Sequence, residues 1–328
     1  MPGYVPGMLH APPVRDPALS ARIELFRDEF SKVRESAGRV ILGKDDVIFK
    51  CLVVLTAKGH VLLKDVPGTG KTMLARAISA SVAADFRRIQ FTPDLLPMDI
   101  TGTNVFDLRQ KQFVFQPGPV FCNLLLADEL NRATPKTQSA LLESMAEGQV
   151  TVEGVTHRLP PPFLVMATMN PLDHDGTYAL PQAQLDRFTA QLSMGFPNED
   201  AEMRMLDVHL GSRPPVEDVR PVIDRDTFLG WQELATRIFL GEEVKRYLVK
   251  LANHIRADSV ALAPPSPRAV LMLARVAQVH AMTQGRDFVM PDDVRALAPE
   301  VLAHRMIISG DEAGHSYVSR MLEKVPQS

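Results

Sequence analysis

Lys64-Asp65-Val66-Pro67-Gly68-Thr69-Gly70-Lys71-Thr72 is the stretch on which the reading of this chain turns. The apolar run Val61-Leu62-Leu63 leads into it, and the helical pattern Met73-Leu74-Ala75-Arg76-Ala77-Ile78 leaves it. Strand, glycine-rich turn and helix, in that order, make a phosphate-binding loop. Gly68 and Gly70 accept backbone angles that other residues avoid, so successive N–H groups converge on an anion at a helix N-terminus. Pro67 and Thr69 complete the turn. Lys71 supplies a point charge for the β- and γ-phosphates, and the Thr72 hydroxyl stands where it can ligate magnesium. One position departs from the G-x-x-x-x-G-K-[ST] pattern: Asp65 occupies the place of the first glycine. The positions that touch phosphate are intact, so the expected ligand is a nucleoside triphosphate with Mg2+.

A second anchor lies further along, at Leu124-Leu125-Leu126-Ala127-Asp128-Glu129. A continuous apolar run reads as a strand buried on both faces, and its end delivers two adjacent carboxylates. Asp128 is placed to hold magnesium, and Glu129, pointing the other way, to polarise the attacking water. The next buried strand, Phe163-Leu164-Val165-Met166-Ala167-Thr168, delivers Asn170 to the γ-phosphate or the water. Arg187 follows in Gln184-Leu185-Asp186-Arg187-Phe188. From the residues alone it is equally a phosphate-stabilising finger for a neighbouring subunit or half of a surface ion pair with Asp186. Arg268 sits in the first turn of a helix begun by Ser266-Pro267, where the helix dipole does not favour a cation. A role sensing the γ-phosphate would account for it.

The remaining segments frame these. Residues 1–18 are rich in proline and glycine and read as a flexible tail. A helix is expected over 17–37, with Ile23, Phe26, Phe30 and Val33 on one face and Gly38 ending it. Ile41 and Gly43, just ahead of a second apolar helix, are candidates for an adenine pocket, and plain core packing fits them equally. Residues 92–120 lack helical period and read as an insert with a small hairpin, its tip lining a pore, facing a partner or merely decorating the fold. Thr134 and Pro135 open a helix that Gly148 closes. Residues 149–159 alternate around Glu153-Gly154 as a β-hairpin, with His157 solvated on it. From about residue 198 strands give way to helical periods, among them Val244, Tyr247, Leu248, Leu251 and Ile255. His304-Arg305 is expected to pack and cap the last helix.

Composition narrows the function. The chain has 328 residues and a formal charge of −3, with a pI near 6.3, enough length for a large core and no basic stripe of the kind nucleic-acid binding needs. Cys51 and Cys122 lie in separate apolar runs and read as buried small hydrophobes. No run approaches the roughly 18 apolar residues of a membrane helix, and the start has no apolar signal core, so a cytoplasmic protein is expected.

With these residues placed, the chain resembles the MoxR family of AAA+ ATPases, in the helix-2-insert group that includes magnesium-chelatase motor subunits and replicative helicases. The resemblance rests on residues 66–72, Phe115-Gln116-Pro117-Gly118-Pro119, Leu126 through Ala133, Ala167-Thr168-Met169-Asn170-Pro171, residues 184–188, Ser266-Pro267-Arg268-Ala269 and Pro291-Asp292-Asp293-Val294. It implies an α/β P-loop core (19–197) with a parallel sheet flanked by helices, followed by an all-α lid (198–328). Lys71 and Thr72 become the Walker A pair, Asp128 and Glu129 the Walker B pair, Asn170 sensor 1, Arg187 the arginine finger and Arg268 sensor 2. It also implies a hexameric homo-oligomer, a partner carrying a von Willebrand factor A domain, and chaperone-like remodelling or metal-cofactor insertion on a client protein. Two rivals are a nucleic-acid translocase and a non-hydrolysing nucleotide-gated scaffold. Against the first stands the 149–159 hairpin, with only His157 and Arg158 as possible cations. Against the second stand Glu129, Asn170 and Arg187.

Overall fold

The computed structural model describes residues 16–171, 177–209 and 215–326. Helix α1 (Pro17–Gly38) starts where Asp16 accepts the Ala18 amide, and α2 (Asp45–Thr56) follows. The pivotal unit is β1 (Val61–Lys64), the loop, and α3 (Lys71–Ser81). Next come β2 (Phe86–Gln90), α4 (Pro97–Thr101) and the hairpin β3 (Gly102–Asp107) with β4 (Gln112–Pro117). Strand β5 (Leu124–Asp128) leads to α5 (Pro135–Glu147), the hairpin β6 (Gln149–Val152) and β7 (Val155–Arg158), then β8 (Leu164–Met169), α6 (Gln182–Leu185) and β9 (Ala190–Leu192). Helices α7 (Glu199–His209), α8 (Arg225–Ala235) and α9 (Glu242–Ala257) follow. The chain closes with β10 (Ala261–Ala263), α10 (Pro267–Thr283), α11 (Pro291–Leu302), β11 (Ile307–Ile308) and α12 (Gly314–Lys324).

Five strands form one parallel sheet in the order β2-β5-β8-β1-β9. Parallel strands sandwiched by helices must be apolar on both faces, and every residue of β5 is buried. Each buried leucine there contributes roughly 1.5–3 kcal/mol. Because all five strands run the same way, β1, β5 and β8 end at one edge and begin at the other. That fact places the cleft residues described below.

One apolar core covers the sheet face under α1, α2 and α3 and continues into the C-terminal helices, joining Phe26, Leu52 and Ile78 to Leu273, Val276, Leu297 and Val318. A second core, on the opposite face, contains Leu125, Ala127, Leu142, Val165 and Phe188. Trp231 links α8 to α1: its ring meets Phe26 edge-on at 5.0 Å, and its indole N–H donates to Glu29 at 3.0 Å.

Several expectations are corrected. Residues 1–15 of the expected tail lie outside the described residues, and Pro17 and Ala18 already belong to α1. The 92–120 insert holds a short helix, α4, besides its hairpin. Strands do not end at residue 198, since β10 and β11 pair within the helical half. Thr134 stands at the N-cap of α5 but its hydroxyl meets that of Thr137, 3.2 Å away, rather than an amide. His157 is not simply solvated; its ring stacks on Phe115 at 3.8 Å. After His304 and Arg305 a further amphipathic helix, α12, follows, burying Tyr317, Val318, Met321 and Leu322. The two cysteines are buried and unpaired, as expected, and burial pushes the Cys122 thiol up to about 12.

Candidate functional site

The C-terminal edge of the sheet carries a cleft of about 330 Å³ lined by Pro67, Gly68, Thr69, Gly70, Lys71, Thr72, Met73, Asp128, Glu129, Thr168 and Asn170. Gly68 and Gly70 both adopt left-handed backbone, with φ of 82° and 88°, a geometry that a Cβ would strain. Lys71 Nζ donates to the carbonyls of Asp65 and Val66, each at 2.8 Å, which folds the ammonium into the loop. Burial lowers the Lys71 pKa, and the charges of Asp65, Asp128 and Glu129 work against that.

Asp65 now has a structural reason. Its carboxylate accepts from the Gly195 amide at 2.7 Å, the Ser193 hydroxyl at 3.0 Å and the Val66 amide at 2.8 Å. Burial opposes its ionisation, but these bonds outweigh it and hold the carboxyl below its ordinary range. The residue in place of the first glycine therefore pins the entry of the loop to the segment that follows β9.

The carboxylate pair is ordered from two neighbouring strands. Thr168, on β8, donates from Oγ1 to Asp128 Oδ1 at 2.6 Å and accepts the Glu129 amide at 2.8 Å. Arg88 donates to Asp128 Oδ2 through Nε at 3.0 Å and Nη2 at 2.6 Å. Glu129 Oε2 accepts from Gln90 Nε2 at 2.6 Å and from Arg132 Nη1 at 2.8 Å. Arg88 and Gln90 are two apart on β2, so both face the cleft side, and Gln90 pairs in register with Asp128. Glu129 itself sits in left-handed backbone (φ 56°, ψ 48°), a conformation costly for a residue with a side chain. Thr168, Arg88 and Gln90 escaped the sequence reading. Only the period of two along the strands, once their order is known, brings them here.

Ile41 and Gly43 do not line this cleft. Ile41 is buried in the first core, and a Cβ on Gly43 would stand 2.5 Å from Ala201 Cβ, so the turn packs directly on α7.

Arg187 and Arg268 lie at the other edge. Val61, the first residue of β1, pairs with Ala190, so Arg187 precedes the start of β9. Its Nη1 donates to the Leu142 carbonyl of α5 at 2.7 Å. The ion pair with Asp186 does not form; Asp186 pairs with Arg305 instead, Nε to Oδ1 at 3.2 Å. Arg268 is exposed in the first turn of α10, close enough to act electrostatically on His60 and on Arg305. His60 immediately precedes β1. Its Nδ1 accepts the Val165 amide at 3.1 Å, which leaves Nε2 to donate to Met145 O, also at 3.1 Å. Burial drives its pKa down to about 4, and Arg268 adds to the effect.

A P-loop closing a parallel sheet, adjacent strand-end carboxylates and a helical appendage define a P-loop nucleotide-binding domain with a helical lid. A family model described as the ATPase family associated with various cellular activities (AAA) matches residues 60–190, and an AAA lid domain model matches 253–323. The chain is 38% identical over 310 residues to chaperone MoxR1 of Mycobacterium tuberculosis, covering 92% of this chain and 80% of that one. It is 47% identical over 277 residues to a Bacillus subtilis protein, YeaC, with 84% and 86% covered. A crystal structure described as a candidate ATPase from Cytophaga hutchinsonii superposes with a TM-score of 0.87 at 32% identity, covering 94% and 98%. The chain belongs to the MoxR family of AAA+ ATPases.

Proposed function

We propose that this chain hydrolyses ATP in a closed ring, and that each cleft is completed by Arg187 and Arg268 of the adjacent copy. The observation that carries this is their place at the opposite edge of the sheet from the P-loop. Strand β1 has four residues; at about 3.3 Å per residue it separates the two edges by roughly 13 Å, beyond the reach of an arginine side chain to its own cleft. In a head-to-tail ring one copy's arginine edge faces the next copy's cleft.

The roles then follow. The Gly68–Thr72 amides and Lys71 bind the phosphates, Asn170 and Glu129 orient and polarise the attacking water, and the two arginines from the neighbour stabilise charge spreading over the transferred phosphoryl group. The donors at the cleft fit magnesium: the Thr72 hydroxyl and the Asp128 carboxylate are hard oxygens lining one cavity, and Mg2+ is ordinarily held by one or two such groups with water and phosphate. Bound there, it would neutralise phosphate charge. No cluster of three or more His, Cys, Asp or Glu side chains able to hold a metal exists among the described residues. Ile41 and Gly43 are assigned to the adenine end on sequence position alone, outside the phosphate cleft, with Ile41 in the core and the Gly43 turn packed against Ala201.

Hydrolysis is assigned to remodelling of client proteins, including insertion of metal cofactors, together with a partner carrying a von Willebrand factor A domain. The chaperone description of the Mycobacterium relative supports this, as does the β3–β4 hairpin, which presents Phe106, Leu108 and Phe113 to solvent at 47%, 82% and 69% exposure. Solvent-exposed apolar side chains grouped on one hairpin suit contact with another polypeptide. The site of action is placed in the cytoplasm; no helix among the described residues is long and apolar enough to cross a membrane. The test is ATPase rate per protomer against protein concentration. A rate that rises as copies assemble is expected; a rate independent of assembly would remove the shared cleft.

A further inference from the structure

We propose that Asp186 is a positioning residue that locks the two arginines of the trans edge into one rigid unit. The inference rests on the reading that Arg187 and Arg268 act on a neighbour's nucleotide. Asp186 is the residue before Arg187, yet its side chain turns to the lid. Ser266, which caps the helix carrying Arg268, approaches both carboxylate oxygens with its hydroxyl at 3.2 and 3.3 Å. That hydroxyl also accepts the Ala269 amide at 3.2 Å, so the same serine fixes the first turn of α10.

From the other side comes Arg305, in the turn after α11. Its side chain is 1% exposed, against 23% for Asp186. The guanidinium also meets the backbone carbonyls of Asp186, at 3.3 Å, and of Phe188. His304 reinforces the same joint: its Nε2 lies 3.0 Å from the Phe188 carbonyl, and its own carbonyl accepts from Gln182 Nε2 at 3.0 Å. Three segments distant in sequence, 182–188, 266–269 and 304–305, thus meet at one carboxylate. A buried guanidinium needs a counter-charge and a planar set of acceptors, and Asp186 supplies the charge. What that joint controls is the spacing between Arg187 and Arg268, one on the α/β part and one on the lid. Two cations that must reach the same phosphoryl group from a neighbouring chain gain from being held at a fixed separation before they meet it.

The test uses the full chain with Asp186→Asn, which keeps shape and an acceptor but removes the charge, and with Ser266→Ala, which severs the lid contact while leaving the ion pair. Both are expected to bind a fluorescent ATP analogue as wild type does, since the P-loop is at the other edge. Turnover should fall on the order of 10²-fold in kcat with KM little changed, as expected for a misplaced catalytic group. Co-expression of either variant with Lys71→Ala chains should restore turnover. The Lys71→Ala chain then lends an intact arginine edge to the variant's intact cleft, and a fold defect would not be repaired this way. Arg187→Ala co-expressed with Lys71→Ala is run in parallel. Recovery there, without recovery for Asp186→Asn and Ser266→Ala, overturns the positioning role alone. No recovery for Arg187→Ala overturns the shared-cleft reading and this inference with it. Unchanged kcat in both Asp186→Asn and Ser266→Ala likewise overturns it.

Discussion

The two edges of the one parallel sheet are built by different means. At the C-terminal edge the cleft is assembled from contiguous motifs, residues 67–73, 128–129 and 168–170. Each sits at a strand end, and parallel topology alone gathers them. At the N-terminal edge Arg187, Arg268, Arg305, Asp186 and His60 come from four separate stretches, joined through side chains reaching across elements. The first edge is organised within one chain for phosphate. The second is held together by contacts between the α/β part and the lid. The difference teaches that residues belonging to one expected catalytic set can fold to opposite edges of one sheet.

That contrast can be broken by variants, the largest effect first. Arg187→Ala should lower turnover by about 10³–10⁵-fold, the range for an arginine finger, while nucleotide binding by the variant stays at the wild-type level. Weakened binding in titrations with an ATP analogue would place Arg187 in its own chain's cleft. Glu129→Gln should lower single-turnover hydrolysis by about 10²–10⁴-fold and leave ATP bound. Ordinary turnover in that variant would take Glu129 out of the reaction.

A smaller effect separates the edges by pH. His60 is buried neutral, with its folded pKa lowered to about 4 from 6.5. Between those values the unfolded chain binds the extra proton, so the His60 contribution is intact above pH 6.5 and lost as pH falls towards 4. At about 1.4 kcal/mol per pH unit this amounts to roughly 3 kcal/mol. His304, lowered to about 3 by burial and Arg305, acts in the same direction. Urea titrations from pH 7 to 4 should show the decline, and His60→Gln, which can mimic both hydrogen bonds, should make it shallower. An identical pH slope in the variant would assign the decline elsewhere. Smallest of all, Phe113→Ser on the exposed hairpin should change the unfolding free energy from urea titration by less than about 0.5 kcal/mol. A large shift would mean that the hairpin packs on the body rather than facing outward.

Much of the cleft was legible because its chemistry is written in consecutive residues. Gly68-Thr69-Gly70-Lys71-Thr72 requires a strand before it and a helix after it, and both are there. The run ending in Asp128-Glu129 announced a buried strand for the same reason. Asp65 was legible only as a departure from the pattern; its hydrogen bonds to Ser193 and Gly195 span some 130 residues of chain. Thr168 lay inside a quoted motif without showing its task, since its two bonds depend on β8 lying beside β5. The pairing Arg187–Asp186, suggested by adjacency, gave way to Asp186–Arg305, because a fully buried guanidinium has more to lose without a counter-ion than a half-buried one that already donates to a backbone carbonyl. Helix α12 carries an apolar stripe that is readable in principle, yet nothing local marks what it packs against.

By itself the sequence determined the phosphate loop, the carboxylate pair, the alternation of strands and helices and the membership of a nucleotide-binding family, because those depend on spacing along the chain. Only the tertiary structure decided on which edge of the sheet each charged residue stands. Strand order and direction are set by packing among distant segments, and the length of β1 is what sets the arginine edge apart from the cleft.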